Sequence, residues 1–163
     1  MNRITILSLD DEPEVRQAIS RDLEPFAELF RIEVAEDVED AREVIQSIED
    51  DGDLLGVILC DHRLPGTSGV DFLVQLESEQ NHQGIRKVLV TGQADQQDTI
   101  LAINTGGLDH FIAKPWETEM LQEIVRKELT EYLLEQDIDP LPFLSLLTDP
   151  RLLDRIGKGS RID

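Results

Sequence analysis

The sequence predicts an α/β fold: a doubly wound, mainly parallel sheet of five strands with helices on both faces, followed by a helical extension. Three observations support this. Short β-rich runs alternate with longer stretches whose apolar residues recur at helical spacing. Residues 56–60 are continuously apolar, as in a central strand covered on both faces. Strict alternation of strand and helix is typical of parallel sheets with right-handed crossovers.

The first half of the chain contains three predicted strands. Residues 4–9 form an apolar strand that ends in acidic residues, and Pro13 suits the first turn of the helix that follows. Residues 30–35 alternate apolar and polar side chains, which predicts a half-exposed strand near a sheet edge. A second amphipathic helix leads to the strand at 56–60, which stops at Asp61.

The second half repeats the alternation. An apolar helical stripe over 70–76 precedes a fourth strand at 87–90. A fourth helix is predicted around 100–103, a fifth strand over 108–113, and a long helix from about 117 to 136.

The chain divides into a main domain, 1–136, and a helical extension or connector, 137–163. A break at 139–142 and Pro150 predict one or two short amphipathic helices in this extension. Two interpretations stay open: the segment folds back on the main domain, or it forms a homodimer interface or a link to an output module.

The composition disfavours several classes of partner. A formal net charge of −20 repels nucleic acid and anionic membranes, so neither is expected as a direct partner. The longest apolar runs are too short to cross a bilayer. A single cysteine, Cys60, fits a reducing cytoplasm. The three histidines show no metal-ligand spacing and are expected at the surface or in loops.

Polar residues follow the apolar strands where the carboxyl ends of parallel strands meet. They are Asp10, Asp11, Asp61, Thr91 and Lys114. Converging carboxylates favour Mg²⁺, and a nearby aspartate can serve as a nucleophile toward phosphorus. A hydroxyl and an ammonium are suitable donors to phosphoryl oxygens. The pattern therefore predicts phosphoryl transfer.

These positions lie within four short motifs. They are Leu9-Asp10-Asp11-Glu12, Cys60-Asp61-His62-Arg63-Leu64-Pro65-Gly66, Val90-Thr91-Gly92 and Lys114-Pro115-Trp116. Over roughly residues 3–136 the chain resembles receiver domains of two-component response regulators, with the flavodoxin-like fold of the chemotaxis regulator.

The resemblance implies roles for individual residues. Asp61 would accept a phosphoryl group from a sensor histidine kinase or phosphotransfer protein, while Thr91 and Lys114 would bind that group. The implied Mg²⁺ ligands are Asp10, Asp11, Asp61 and the backbone carbonyl of Arg63. The Lys114–Pro115 bond is expected to be cis.

The resemblance also implies a switch and two tuning positions. Thr91 and Phe111 would move together and alter the surface formed by the fourth helix, the fifth strand and the fifth helix; simple core packing is the alternative for Phe111. Arg63 and Gln93 would tune the lifetime of the phosphoryl group, with loop solvation as the alternative.

Such a domain phosphorylates itself and slowly hydrolyses the product, so it is not expected to be an enzyme in its own right. Two other functions remain open. The chain could be a docking or dimerisation module that works without phosphorylation. It could also be the regulatory domain of a larger enzyme, such as a cyclic-dinucleotide phosphodiesterase.

Overall fold

A computed structural model describes residues 2–92 and 107–159 of the 163-residue chain. Its five strands are β1 (Ile4–Leu9), β2 (Arg31–Ala35), β3 (Leu54–Cys60), β4 (Arg86–Thr91) and β5 (Leu108–Ala113). All neighbouring strands are parallel, in the order β2-β1-β3-β4-β5. This confirms the predicted fold class, with β3 at the centre and β2 at an edge.

The described residues form five α-helices. They are α1 (Pro13–Asp22), α2 (Val38–Asp50), α3 (Gly69–Ser78), α4 (Thr118–Glu135) and α5 (Pro150–Gly159). The side chains of Asp37 and Ser68 accept backbone N–H groups at the starts of α2 and α3, which satisfies donors that have no partner within the helix. The helix predicted around 100–103 lies outside the described residues, and so does Gln93, which was expected to tune the phosphoryl lifetime.

Two apolar layers cover the sheet. The layer under α1 and α4 contains Val57 and Leu59 of β3, and the layer under α2 and α3 contains Ile58 and Cys60. Successive side chains of a strand point to opposite faces, so β3 contributes to both layers. This arrangement explains why its sequence is apolar throughout. Among the described residues, no helix is long and apolar enough to cross a membrane.

The segment after α4 packs against its own domain. The ring of Phe143 stacks on Phe30 with centroids 5.1 Å apart, and Leu147 and Leu152 are each 1% exposed. Arg151 forms an ion pair with Glu131 of α4. Of the two interpretations of this segment, the structure shows the fold-back. The boundary at residue 136 and a homodimer through these helices stay predictions.

His82 corrects one expectation from the sequence. This histidine was expected at the surface or in a loop, but only 9% of its surface is exposed to solvent. Nδ1 lies 2.5 Å from a carboxylate oxygen of Glu79, and Nε2 lies 2.9 Å from one of Glu49. The carboxylates of the nearby Glu79 and of Glu49 in α2 contact both ring nitrogens, which makes burial of this polar side chain tolerable.

Candidate functional site

Hydrogen bonding of the sheet continues one residue beyond three strand ends and fixes the backbone of the candidate site. The bonds run from Asp10 N to Ala35 O (3.1 Å), from Asp61 N to Leu9 O (2.9 Å) and from Lys114 N to Thr91 O (3.0 Å). Asp10, Asp61 and Lys114 therefore stand on a rigid edge even though each follows its strand. The structure brings together the residues that the sequence predicted to meet.

The ammonium group of Lys114 bridges the two buried carboxylates of this edge. Nζ lies 3.0 Å from Oδ2 of Asp10 and 3.3 Å from Oδ1 of Asp61. The side chains of Asp10 and Asp61 are 1% and 5% exposed, whereas that of Lys114 is 21% exposed. The backbone N–H of Glu12 donates to Oδ1 of Asp10 at 2.9 Å. Both oxygens of Asp10 are thus engaged.

The electrostatics of the edge reflect this crowding. Burial, and then the charge of Asp10, raise the pKa of Asp61, although Lys114 and the backbone N–H of Arg63 act in the opposite direction. Burial lowers the pKa of Lys114, but its hydrogen bond with Asp10 and the charges of Asp10 and Asp61 outweigh this, so the net change is upward. The lysine is therefore a permanent cation between the two acids.

Four carboxylates at this edge form a set that could hold a metal ion. One oxygen from each of Asp10, Asp11, Glu12 and Asp61 lies within 4.8 Å of the others. Hard oxygen donors, two buried and two exposed, fit Mg²⁺, which usually takes one or two carboxylates and keeps several waters. The sequence had not assigned Glu12 as a ligand. Its place in the same acidic motif was the available signal.

The loop after Asp61 is closed by an unusually near approach of α3. The backbone N–H of Gly69 donates to the carbonyl of His62 at 2.8 Å. A Cβ atom at Gly69 would lie 1.9 Å from the backbone oxygen of Asp61. Glycine is therefore required at the first residue of α3. The exposed Arg63 and Asp11 help to line a cavity of about 510 Å³ beside this loop.

The two proposed switch residues lie on one face of the sheet. Thr91 is 1% exposed and is aligned with Ala113, and Phe111 is aligned with Leu89, two residues before Thr91. Side chains two residues apart on a strand share a face, so Phe111 lies on the same face as Thr91. It is two residues further from the carboxyl ends of the strands. Phe111 is half-buried against the α2 and α3 layer. The Lys114–Pro115 bond is cis, as expected.

Comparison with known proteins agrees with this geometry. The profile of the response regulator receiver domain family matches residues 6–126. The chain belongs to the response regulator receiver domain family. The receiver is 30% identical over 151 residues to the hydrogenase transcriptional regulatory protein HoxA of Cupriavidus necator, covering 93% of this chain and 29% of that protein. It is 34% identical over 116 residues to the phosphate regulon transcriptional regulatory protein PhoB of Escherichia coli, covering 71% of this chain and 47% of that protein.

Solved structures share the receiver fold. A CheY-like response regulator receiver domain protein from Methanospirillum hungatei JF-1 superposes with a TM-score of 0.68 at 25% identity, covering 82% of this chain and 99% of that one. The signal receiver domain of an HD domain-containing protein from Pseudomonas fluorescens Pf-5 superposes with a TM-score of 0.73 at 22% identity, covering 85% of this chain and 95% of that one. The chain spans only 26–55% of the length of three curated relatives that it matches.

Proposed function

We propose that this receiver accepts a phosphoryl group on Asp61 from a sensor histidine kinase or a phosphotransfer protein, with Mg²⁺ as cofactor. The observation that carries the proposal is the position of Lys114. Its ammonium lies between the carboxylates of Asp10 and Asp61, at a sheet edge where four acids converge. A cation held there can stabilise negative charge on the carboxylate and then on the incoming phosphoryl oxygens.

Asp61 is the proposed acceptor because it stands at the position of the phosphoacceptor in the receiver motif that begins at Cys60. Lys114 and one backbone N–H contact each of the two carboxylates, Asp10 and Asp61. In the proposed reaction, an oxygen of Asp61 forms a bond to phosphorus while the bond between phosphorus and the donor's leaving atom breaks. The leaving group departs with the electron pair of that bond. Lys114 and the Thr91 hydroxyl then bind the phosphoryl oxygens.

The acidic set has the ligands that a divalent cation needs in this reaction. Asp10, Asp11, Asp61 and the backbone carbonyl of Arg63 would hold Mg²⁺, with Glu12 close by. When bound, Mg²⁺ supplies positive charge that offsets the carboxylates and the phosphoryl oxygens. Hydrolysis of the acyl phosphate would return the resting state, and the side chains of Arg63 and Gln93 would set how readily water attacks.

The signal would leave through Thr91 and Phe111. Contact of the phosphoryl group with Thr91 draws its side chain toward Asp61, and the half-buried ring of Phe111 turns into the space left on the same sheet face. A two-component receiver of this kind would work in the cytoplasm. HoxA and PhoB are named transcriptional regulators and another receiver accompanies an HD domain, so these relatives do not select one output for this chain.

The test is intact mass after incubation with acetyl phosphate and Mg²⁺. We expect one added phosphoryl group on the wild type, and on Asp71→Asn, which removes an exposed charge from α3 away from the acidic set. Asp61→Asn, or chelation of the metal, should abolish the adduct. A wild type that gains no phosphoryl group contradicts the proposal and favours a docking module that works without phosphorylation.

A further inference from the structure

Asp22, a buried acid outside the acidic set, lies at the far end of α1. It is 7% exposed, and both of its side-chain oxygens accept hydrogen bonds. The indole N–H of Trp116 donates to Oδ2 at 2.7 Å, and the hydroxyl of Thr118 donates to Oδ1 at 2.9 Å. The side-chain amide of Gln122 donates to the backbone carbonyl of Asp22 at 2.8 Å. Asp22 thus ties the end of α1 to the segment that follows β5.

This segment carries Lys114. The backbone of Lys114 is held by Thr91 of β4, and the exposed Pro115 comes next. Trp116, two residues after Lys114, is the next point of attachment: its ring packs on the α1 and α4 layer and its N–H bonds to Asp22. The stretch from Lys114 to Thr118 is therefore anchored at β4 on one side and at Asp22 on the other.

We propose that Asp22 is a positioning residue for phosphoryl transfer: by holding Trp116 and Thr118, it fixes the backbone from which Lys114 reaches Asp61. The inference rests on the proposed function of Asp61. Asp22 is an anchor with two points of attachment, since each of its side-chain oxygens accepts a hydrogen bond from this segment. A displacement of about 1 Å at a reacting group is enough to slow a reaction by about a hundredfold.

The same contacts could serve only to join α1 to α4, and Gln122 distinguishes the two possibilities. Its hydrogen bond also joins these helices, but it reaches the backbone of Asp22 and bypasses both the carboxylate and Trp116. Gln122→Ala therefore removes helix attachment without releasing the anchor of Lys114. Asp22→Ala removes both side-chain oxygens, so the indole N–H of Trp116 and the hydroxyl of Thr118 lose their shared partner.

The kinetic experiment measures phosphorylation by acetyl phosphate, followed by intact mass. Compared with wild type, Asp22→Ala should lower the rate constant at saturating donor about tenfold. The Mg²⁺ concentration giving half-maximal rate should stay within about twofold, because Asp22 does not touch the acidic set. Trp116→Phe, which removes the indole N–H, should also slow the reaction. Asp22→Ala combined with Trp116→Phe should be no slower than Asp22→Ala alone, since the bond between the two residues is already absent there. Gln122→Ala should stay within about twofold of wild type.

A second readout does not depend on phosphorylation. The ¹⁵N signal of the Lys114 ammonium reports its ion pairs with Asp10 and Asp61. The signal should shift or broaden in Asp22→Ala and remain unchanged in Gln122→Ala. If wild type gains no phosphoryl group, the proposed function fails while this signal still decides whether Asp22 positions Lys114. Equal rates in Asp22→Ala and Gln122→Ala, or an unchanged Lys114 signal in Asp22→Ala, overturn the inference.

Discussion

Gly69→Ala tests how closely α3 must approach Asp61. The added Cβ would lie 1.9 Å from the Asp61 carbonyl oxygen and 2.8 Å from Cα of His62. The closest carbon–oxygen contacts in proteins are about 3.3 Å, so α3 or the Asp61 backbone must move by about 1.4 Å. Because these atoms are backbone, no rotamer change relieves the clash. Overpacking of this kind costs about 3 kcal/mol, and the better helix propensity of alanine returns about 1.

We therefore expect Gly69→Ala to lower the free energy of unfolding by about 2 kcal/mol in urea titrations. Phosphorylation by acetyl phosphate should slow about a hundredfold, because the displaced backbone carries the acceptor. The matched control is Gly92→Ala at the neighbouring strand end, where an added Cβ meets no atom of the described residues within 4 Å. It should unfold within about 0.5 kcal/mol of wild type. A Gly69→Ala variant that unfolds and reacts like wild type would refute this account of the site.

Three further predictions concern stability in urea titrations. Burial and Asp10 raise the pKa of Asp61 above the ordinary 3.8, so the stability that its protonated form contributes is lost as pH rises through the folded-state pKa. Between about pH 4 and 7, wild type should therefore lose stability relative to Asp61→Asn, and parallel curves would contradict this. Phe143→Ala removes the stack on Phe30 and should cost about 2 kcal/mol; a loss below about 0.5 would mean that the terminal segment does not pack there. Arg86 Nε lies 2.9 Å from a carboxylate oxygen of Glu128, whose side chain is 1% exposed. Arg86→Ala leaves this buried carboxyl without that partner and should lower the free energy of unfolding by about 3 kcal/mol. Little change would mean that the carboxyl moves out to solvent.

The sequence could predict the sheet and the acidic edge because both follow from local patterns. Apolar runs locate the strands, and parallel strands bring the residues after each run, such as Asp10 and Asp61, to one edge. The alternation of strands and helices then predicted a parallel, doubly wound sheet. Lys114 was predictable on the same ground, since it directly follows a run that ends at Ala113.

Contacts between distant segments could not be predicted this way. Asp22 and Trp116 are separated by 94 positions, and no periodicity connects a helix-terminal aspartate to an indole after the last strand. The buried His82 contacts Glu49 of α2, 33 positions earlier, and no local pattern indicates that pairing. The apolar spacing of the last segment predicted amphipathic structure, but it did not indicate that Phe143 would stack on Phe30. Such pairings depend on tertiary packing.

The most direct measurement locates the phosphoryl group among the four clustered acids. Wild type treated with acetyl phosphate and Mg²⁺ is reduced with borohydride, which converts an aspartyl phosphate to homoserine, and tandem mass spectrometry finds the altered residue. We predict homoserine at position 61 and unmodified residues at Asp10, Asp11 and Glu12. Homoserine at position 10 or 11 would contradict the account. So would an added phosphoryl group that leaves position 61 unaltered.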